Sequence, residues 1–217
     1  LKKVAADFIK ERPNDRIGLV AYAGESYTKT PITSDKSIVL TSLRDITYGQ
    51  LNDGTAIGMG LATAVNRLKE STSKSKIIIL LTDGVNNAGF IEPKTAADLA
   101  VEYNIKTYTI GIGTNGNALS PVSYNPDGSF RYGMQKVEID EKLLEEIAQV
   151  SGGKYFRATD NDKLEAIYDE INKLEKTEIE EFKYTNYEEK FRPLILLAGI
   201  LLLLEWLVRN TLFRSFI

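Results

Sequence analysis

Five consecutive apolar residues, Ile77-Ile78-Ile79-Leu80-Leu81, run straight into Thr82-Asp83-Gly84. A strand with one wet face alternates apolar and polar side chains. An unbroken apolar run ended by turn residues therefore predicts a parallel strand covered on both faces. Ile17 to Tyr22 and Lys106 to Ile112 read as further strands, and Lys154 to Arg157 as a short last one. Tyr27 to Ile32 contains Pro31, which suits an edge strand. Helical spacing appears in Lys2 to Glu11, which breaks at Arg12-Pro13-Asn14-Asp15, and in Thr55 to Leu68 behind an Asp53-Gly54-Thr55 cap. It recurs from Ser34 or Asp35 to about Leu43, from Pro93 to Tyr103, from Glu141 to Val150 behind Asp140, and from Asp160 or Asp162 to about Leu174. Strands alternating with helices in this way predict an α/β fold with a doubly wound, mostly parallel sheet over residues 1–174. The alternation fails over residues 114–137, where a hairpin with Asp127-Gly128 at its turn is expected.

Composition removes several chemistries. The 217 residues contain no Cys and no His, which excludes thiolate and imidazole metal sites, Ser-His-Asp and Cys-His catalysis, and disulfides. A net charge of −3 without a basic stripe argues against nucleic acid. Gly111-Ile112-Gly113-Thr114-Asn115-Gly116 has dinucleotide-loop spacing, but no helix pattern follows to receive a pyrophosphate, so these read as turn glycines. Asp160-Asn161-Asp162 lacks the glycine and glutamate of a calcium loop and reads as a helix cap.

Two residues carry the candidate site. Asp83 follows the apolar strand and so belongs on the carboxyl edge of the sheet, where ligands bind in open α/β folds. Thr55 opens a helix that can face the same crevice. A carboxylate, a hydroxyl and water are what Mg²⁺ prefers. On spacing alone, a strand-ending turn and a helix cap are the stronger reading of the two motifs. Four segments in order shift that balance: Asp15 to Gly24, Asp53 to Leu61, Ile79 to Gly84 and Tyr108 to Gly113. Together they resemble the von Willebrand factor type A domain, over about Leu1 to Leu174. Within it they are most similar to the BatA group of bacterial Bat-type aerotolerance membrane proteins.

The resemblance implies a metal-ion-dependent adhesion site holding Mg²⁺, or another divalent cation such as Mn²⁺ or Ca²⁺. Thr55 matches its direct Thr ligand, and Asp83 the carboxylate that acts through water. The Asp-x-Ser-x-Ser ligands of the family have no match and are expected upstream of Leu1, so the site is expected to hold the ion poorly in these residues alone. Ser26 and Ser34 do not substitute by position. The family's first strand is likewise expected upstream, which predicts a strand-wide slot between Ile17–Tyr22 and Ile77–Leu81. The implied function is metal-dependent protein–protein interaction, without enzyme activity, in an aerotolerance or envelope-stress complex. Sister Bat-type membrane proteins and a MoxR-type ATPase are the implied partners. Two other classes stay open: a structural subunit that uses no metal, and a metal-dependent phosphohydrolase using Asp83.

The end of the chain sets the compartment. Residues 175–192 form a charged linker, and Pro193 to Val208 gives about 16 apolar residues with Glu205 inside. A helix apolar on every side does not suit a soluble surface, so residues 193–210 read as a transmembrane helix, followed by a tail at 211–217 that the resemblance implies is cytoplasmic. Lys176, Lys183, Lys190 and Arg192 precede it, whereas only Arg209 and Arg214 follow. Positive-inside counting therefore does not by itself place the domain outside. The resemblance implies the bacterial inner membrane with a periplasmic domain.

Overall fold

The computed structural model describes residues 2–113, 116–125, 129–175 and 191–211. Its elements are α1 (Lys2–Lys10), β1 (Ile17–Tyr22), β2 (Ser26–Thr33), α2 (Lys36–Arg44), α3 (Ile57–Leu68), β3 (Ile77–Thr82), α4 (Pro93–Glu102), β4 (Lys106–Ile112), β5 (Gly116–Tyr124), β6 (Phe130–Val137), α5 (Glu141–Val150), β7 (Tyr155–Ala158), α6 (Asn161–Leu174) and α7 (Phe191–Thr211). Contacts divide the chain into two units, Leu1–Glu175 and Lys176–Ile217.

Local chemistry sets most helix starts. The first backbone N–H groups of a helix have no partner within it, and a side-chain oxygen just before the helix can accept from one of them. Asp35 accepts from Ser37 N–H at 2.9 Å, Asp140 from Leu143 N–H at 3.0 Å, and Asp160 from Lys163 N–H at 2.8 Å. The acidic cluster at Asp160 is thus a cap. Pro93 sits at the first turn of α4, where its missing N–H costs nothing.

Strands β3, β4 and β7 form a parallel sheet in that order, with Ile77 opposite Lys106 and Thr109 opposite Tyr155. Side chains alternate across it. Ile78 and Leu80 pack with Ile57, Leu61 and Val65 of α3 and with the alanines of α4. Ile77, Ile79 and Leu81 turn to the other side, toward the cluster of Ile110, Phe156, Leu164 and Ile171, where Phe8 of α1 stacks on Tyr168 at 4.3 Å. Helices on both faces make the winding double. Strands β1 and β2 form a separate antiparallel pair, and β5 and β6 a third.

No ladder joins β1 to β3 among the described residues, as the slot requires. Strand β3 is covered on both faces, as its apolar run predicts, but unevenly: Ile78, Leu80 and Thr82 are buried, while Ile77, Ile79 and Leu81 are half-buried. The free edge of β3 has no neighbouring strand among the described residues, so nothing covers those side chains laterally. Tyr22 reaches across instead, its hydroxyl donating to Leu81 O at 2.6 Å.

The expected hairpin forms, with Gly116 opposite Val137 and Tyr124 opposite Phe130; its turn at Asp127-Gly128 lies outside the described residues. Gly113 and Gly116 have φ of 96° and 137°, and a strand follows them, as the turn-glycine reading requires. The linker at 176–190 and the tail from 212 also lie outside the described residues. The apolar tail is helical over Phe191–Thr211, but the expectation of a membrane span is not met: among the described residues no helix is long and apolar enough to cross a membrane. Glu205 interrupts the run. Leu194 to Leu204 covers roughly 16 Å as a helix, about half of a hydrocarbon core of roughly 30 Å.

Candidate metal centre

Three loops meet at the carboxyl edge of β3: Ala23 to Glu25 after β1, Asn52 to Ala56 before α3, and Asp83 to Gly89 after β3. Backbone bonds join the first two, with Gly24 N–H donating to Asn52 O at 2.9 Å and Ala56 N–H to Ala23 O at 2.6 Å. Gly54 has φ of 138°, and a Cβ there would lie 2.8 Å from the Ala88 methyl and 3.1 Å from Gly24 Cα. Only glycine lets the three loops approach this closely.

Thr55 lies in the second loop and Asp83 in the third, and these two loops pack against each other. A Cβ on Gly84, the residue after Asp83, would meet Thr55 Oγ1 at 3.1 Å. Asp83 is exposed and follows buried Thr82, whose hydroxyl takes the Gly84 N–H at 3.3 Å and so turns the chain after the strand. Tyr22 stands beside them. Burial raises its phenol far above the usual range, a bond to Thr82 opposes this, and the Asp83 charge adds to it.

The cap of α3 differs from expectation. The helix starts at Ile57 rather than at Thr55, and Asp53 caps nothing: its carboxylate accepts from Tyr48 Oη at 2.9 Å. Asn86 Oδ1 accepts from Ile57 N–H at 2.9 Å, and Asn87 Oδ1 from Thr55 N–H at 2.8 Å. Asn87 N–H in turn donates to Thr55 O at 3.1 Å. With the backbone satisfied from the third loop, the Thr55 hydroxyl is not used for capping. Sequence reading missed these asparagines. Their only local signal is the Asn-Asn pair after Thr82-Asp83-Gly84, and caps reaching back 29 and 32 residues leave no periodic trace. Ser26 is no substitute ligand, since its hydroxyl bonds Met59 O at 3.0 Å and the Thr63 hydroxyl at 2.7 Å.

One exposed carboxylate beside one hydroxyl is a hard-oxygen set, which fits Mg²⁺ and no soft metal. It is a partial set: among the described residues no three His, Cys, Asp or Glu side chains gather to hold a metal ion. The loops around it expose large apolar groups, Phe90 at 86% and Tyr48 at 56%, and Tyr48 packs edge-on against Phe130 of the hairpin at 5.0 Å.

Comparison with known proteins gives a consistent picture. The von Willebrand factor type A domain profile matches residues 1–170. An uncharacterised protein of Borreliella burgdorferi is 32% identical over 206 residues, which cover 95% of this chain and 60% of that protein. The chain thus spans 60% of the length of that relative. Among solved structures, BatB of Bacteroides thetaiotaomicron is similar with a TM-score of 0.65 and 27% identity, covering 81% of this chain and 87% of its own. An aerotolerance-related membrane protein of Bacteroides fragilis shares the fold at TM-score 0.65 and 24% identity, covering 79% and 86%. So does mussel proximal thread matrix protein 1, described with a zinc-occupied MIDAS motif, at TM-score 0.60 and 24% identity over 80% and 39%.

Proposed function

The chain belongs to the von Willebrand factor type A domain family, and on that premise we propose that it is a non-enzymatic protein-binding module whose affinity depends on a divalent cation at Thr55 and Asp83. The observation that carries this is the Thr55 hydroxyl lying against Gly84, immediately beside Asp83, while its own backbone is satisfied elsewhere. Thr55 supplies a direct oxygen, and Asp83 a carboxylate that orders water around the ion. When bound, Mg²⁺ supplies a hard Lewis-acid centre that accepts a carboxylate from a partner. Mn²⁺ and Ca²⁺ suit the same donors. The zinc-occupied MIDAS motif of the mussel protein supports metal binding in this fold. Exposed Phe90 and Tyr48 on the surrounding loops support a protein partner, because aromatic side chains are enriched at the anchoring points of interfaces.

Among the described residues the edge of β3 away from β4 carries no neighbouring strand, which supports a further strand between it and β1. The likeness to BatB and to an aerotolerance-related membrane protein supports a Bat-type, membrane-associated complex; a periplasmic domain at the bacterial inner membrane is the placement this reading adds. Sister Bat-type proteins and a MoxR-type ATPase are the partners this reading names. Helix α7 supports attachment to the membrane, since leucines such as Leu196 and Leu202, each 66% exposed, need apolar surroundings.

A second reading, a structural subunit that uses no metal, is favoured by the small number of carboxylates at the site. Isothermal calorimetry on the full-length protein separates the two. The metal reading expects saturable Mg²⁺ binding that Thr55→Ala weakens with the fold intact. Absence of Mg²⁺ binding in the wild type favours the structural subunit.

A further inference from the structure

We propose that Asn87 is a positioning residue for the metal centre: it holds the peptide of Thr55 at both ends and so makes the Thr55 and Asp83 loops move as one body. The inference rests on the metal reading above and extends it to a residue that touches no ion. Three facts carry it. The Asn87 side chain accepts from Thr55 N–H at 2.8 Å, and its own N–H donates to Thr55 O at 3.1 Å, so one residue grips both faces of a single amino acid. Asn87 lies four residues after Asp83, in the same loop. Gly54, the neighbour of Thr55, packs against this loop too, its would-be Cβ meeting Ala88 at 2.8 Å and Asn87 Oδ1 at 3.5 Å.

The physical consequence follows from what Mg²⁺ demands. Its oxygen ligands must sit near 2.1 Å in octahedral geometry, so a direct ligand and a water-holding carboxylate on independent loops would each have to be ordered when the ion binds. A reciprocal pair of hydrogen bonds orders them beforehand. Outer partners of this kind set metal affinity without ligating. Asn86 provides an internal control. It makes a bond of similar length, 2.9 Å, from the same loop to the same helix start, but to Ile57 and not to Thr55. A purely structural role predicts that the two asparagines behave alike; positioning predicts that they differ.

The test uses the full-length protein with Mg²⁺ as the probe in calorimetry, and amide hydrogen exchange at Thr55 without metal. Asn87→Ala is expected to weaken Mg²⁺ binding about 10-fold or more and to speed exchange at Thr55. Asn86→Ala is expected to lower the unfolding midpoint comparably while leaving both readouts near wild type. Asn87→Asp retains an acceptor oxygen for Thr55 N–H and is expected to restore slow exchange and at least wild-type affinity. Equal loss of affinity in Asn86→Ala and Asn87→Ala would overturn the proposal, as would unchanged Thr55 exchange in Asn87→Ala. If Asn87→Ala fails to fold, the Asn87→Asp and Asn86→Ala readouts still decide, because loss of Thr55 protection in either one contradicts the assignment. Absence of Mg²⁺ binding in the wild type would remove the metal reading and this proposal together, whereas failure of the Asn87 variants alone would leave the metal reading standing.

Discussion

Gly84→Ala is the smallest change that reaches the centre without touching a ligand. The backbone at Gly84 is not among the left-handed positions, so alanine meets no conformational penalty there. The new methyl would sit 3.1 Å from Thr55 Oγ1 and 3.9 Å from Thr55 Cβ and Cγ2. Only the hydroxyl is crowded, and it must give way by roughly 0.3 Å to recover ordinary contact. The fold scarcely registers this, since such a surface change is worth no more than about 0.5 kcal/mol. An ion that tolerates little departure from about 2.1 Å does register it, and a loss of about tenfold in affinity is expected. Thermal unfolding converts that loss into a readout. Mg²⁺ at 100 times the wild-type Kd stabilises wild type by about 2.7 kcal/mol, but the variant, at 10 times its own Kd, by about 1.4 kcal/mol. For a domain of this size the difference is about 3–5 °C in the Mg²⁺-induced shift of Tm. Equal shifts in the two proteins, with equal Tm in chelator, would refute the placement of Thr55 Oγ1 against the ion.

Thr55→Ala should reduce Mg²⁺-dependent stabilisation while leaving the chelator Tm within a degree or two, because half-buried Thr55 contributes little packing; a large Tm loss in chelator would make Thr55 a structural residue. Leu61→Ala, at a fully buried position of α3, should cost about 2–5 kcal/mol in urea denaturation, and a cost under about 1 kcal/mol would contradict the core assignment. Asp160, whose carboxyl is held below the usual range chiefly by the Lys163 N–H, has a folded pKa lower than its unfolded one. Its contribution is therefore full above the ordinary Asp range and is lost as pH falls through the lowered value, so Asp160→Asn should flatten the acid limb of the stability profile there. An unchanged acid limb would contradict the cap on α6.

Local chemistry was legible from the sequence and long-range chemistry was not. Strands β1 and β4 and helix α5 stand within the predicted bounds because apolar runs and caps such as Asp140 act within a few residues. Thr55 and Asp83 could be placed at one edge because a strand end and a helix start both belong there. The cap of α3 was misread because Asp53 has the right spacing, yet its carboxylate pairs with Tyr48 and the donors are met by Asn86 and Asn87 from another loop. The uneven covering of β3 was also hidden. Ile77-Ile78-Ile79-Leu80-Leu81 records what the strand is suited to bury, not which neighbours stand beside it.

An ion at Thr55 and Asp83 is tested most directly by anomalous diffraction from crystals of the full-length protein grown in Mn²⁺. Mn²⁺ takes the same oxygen donors as Mg²⁺ and marks its own position. The account predicts one anomalous peak about 2.1–2.2 Å from Thr55 Oγ1, with a water between it and the Asp83 carboxylate. A well-ordered centre with no peak there, or a peak held by other residues, would contradict it.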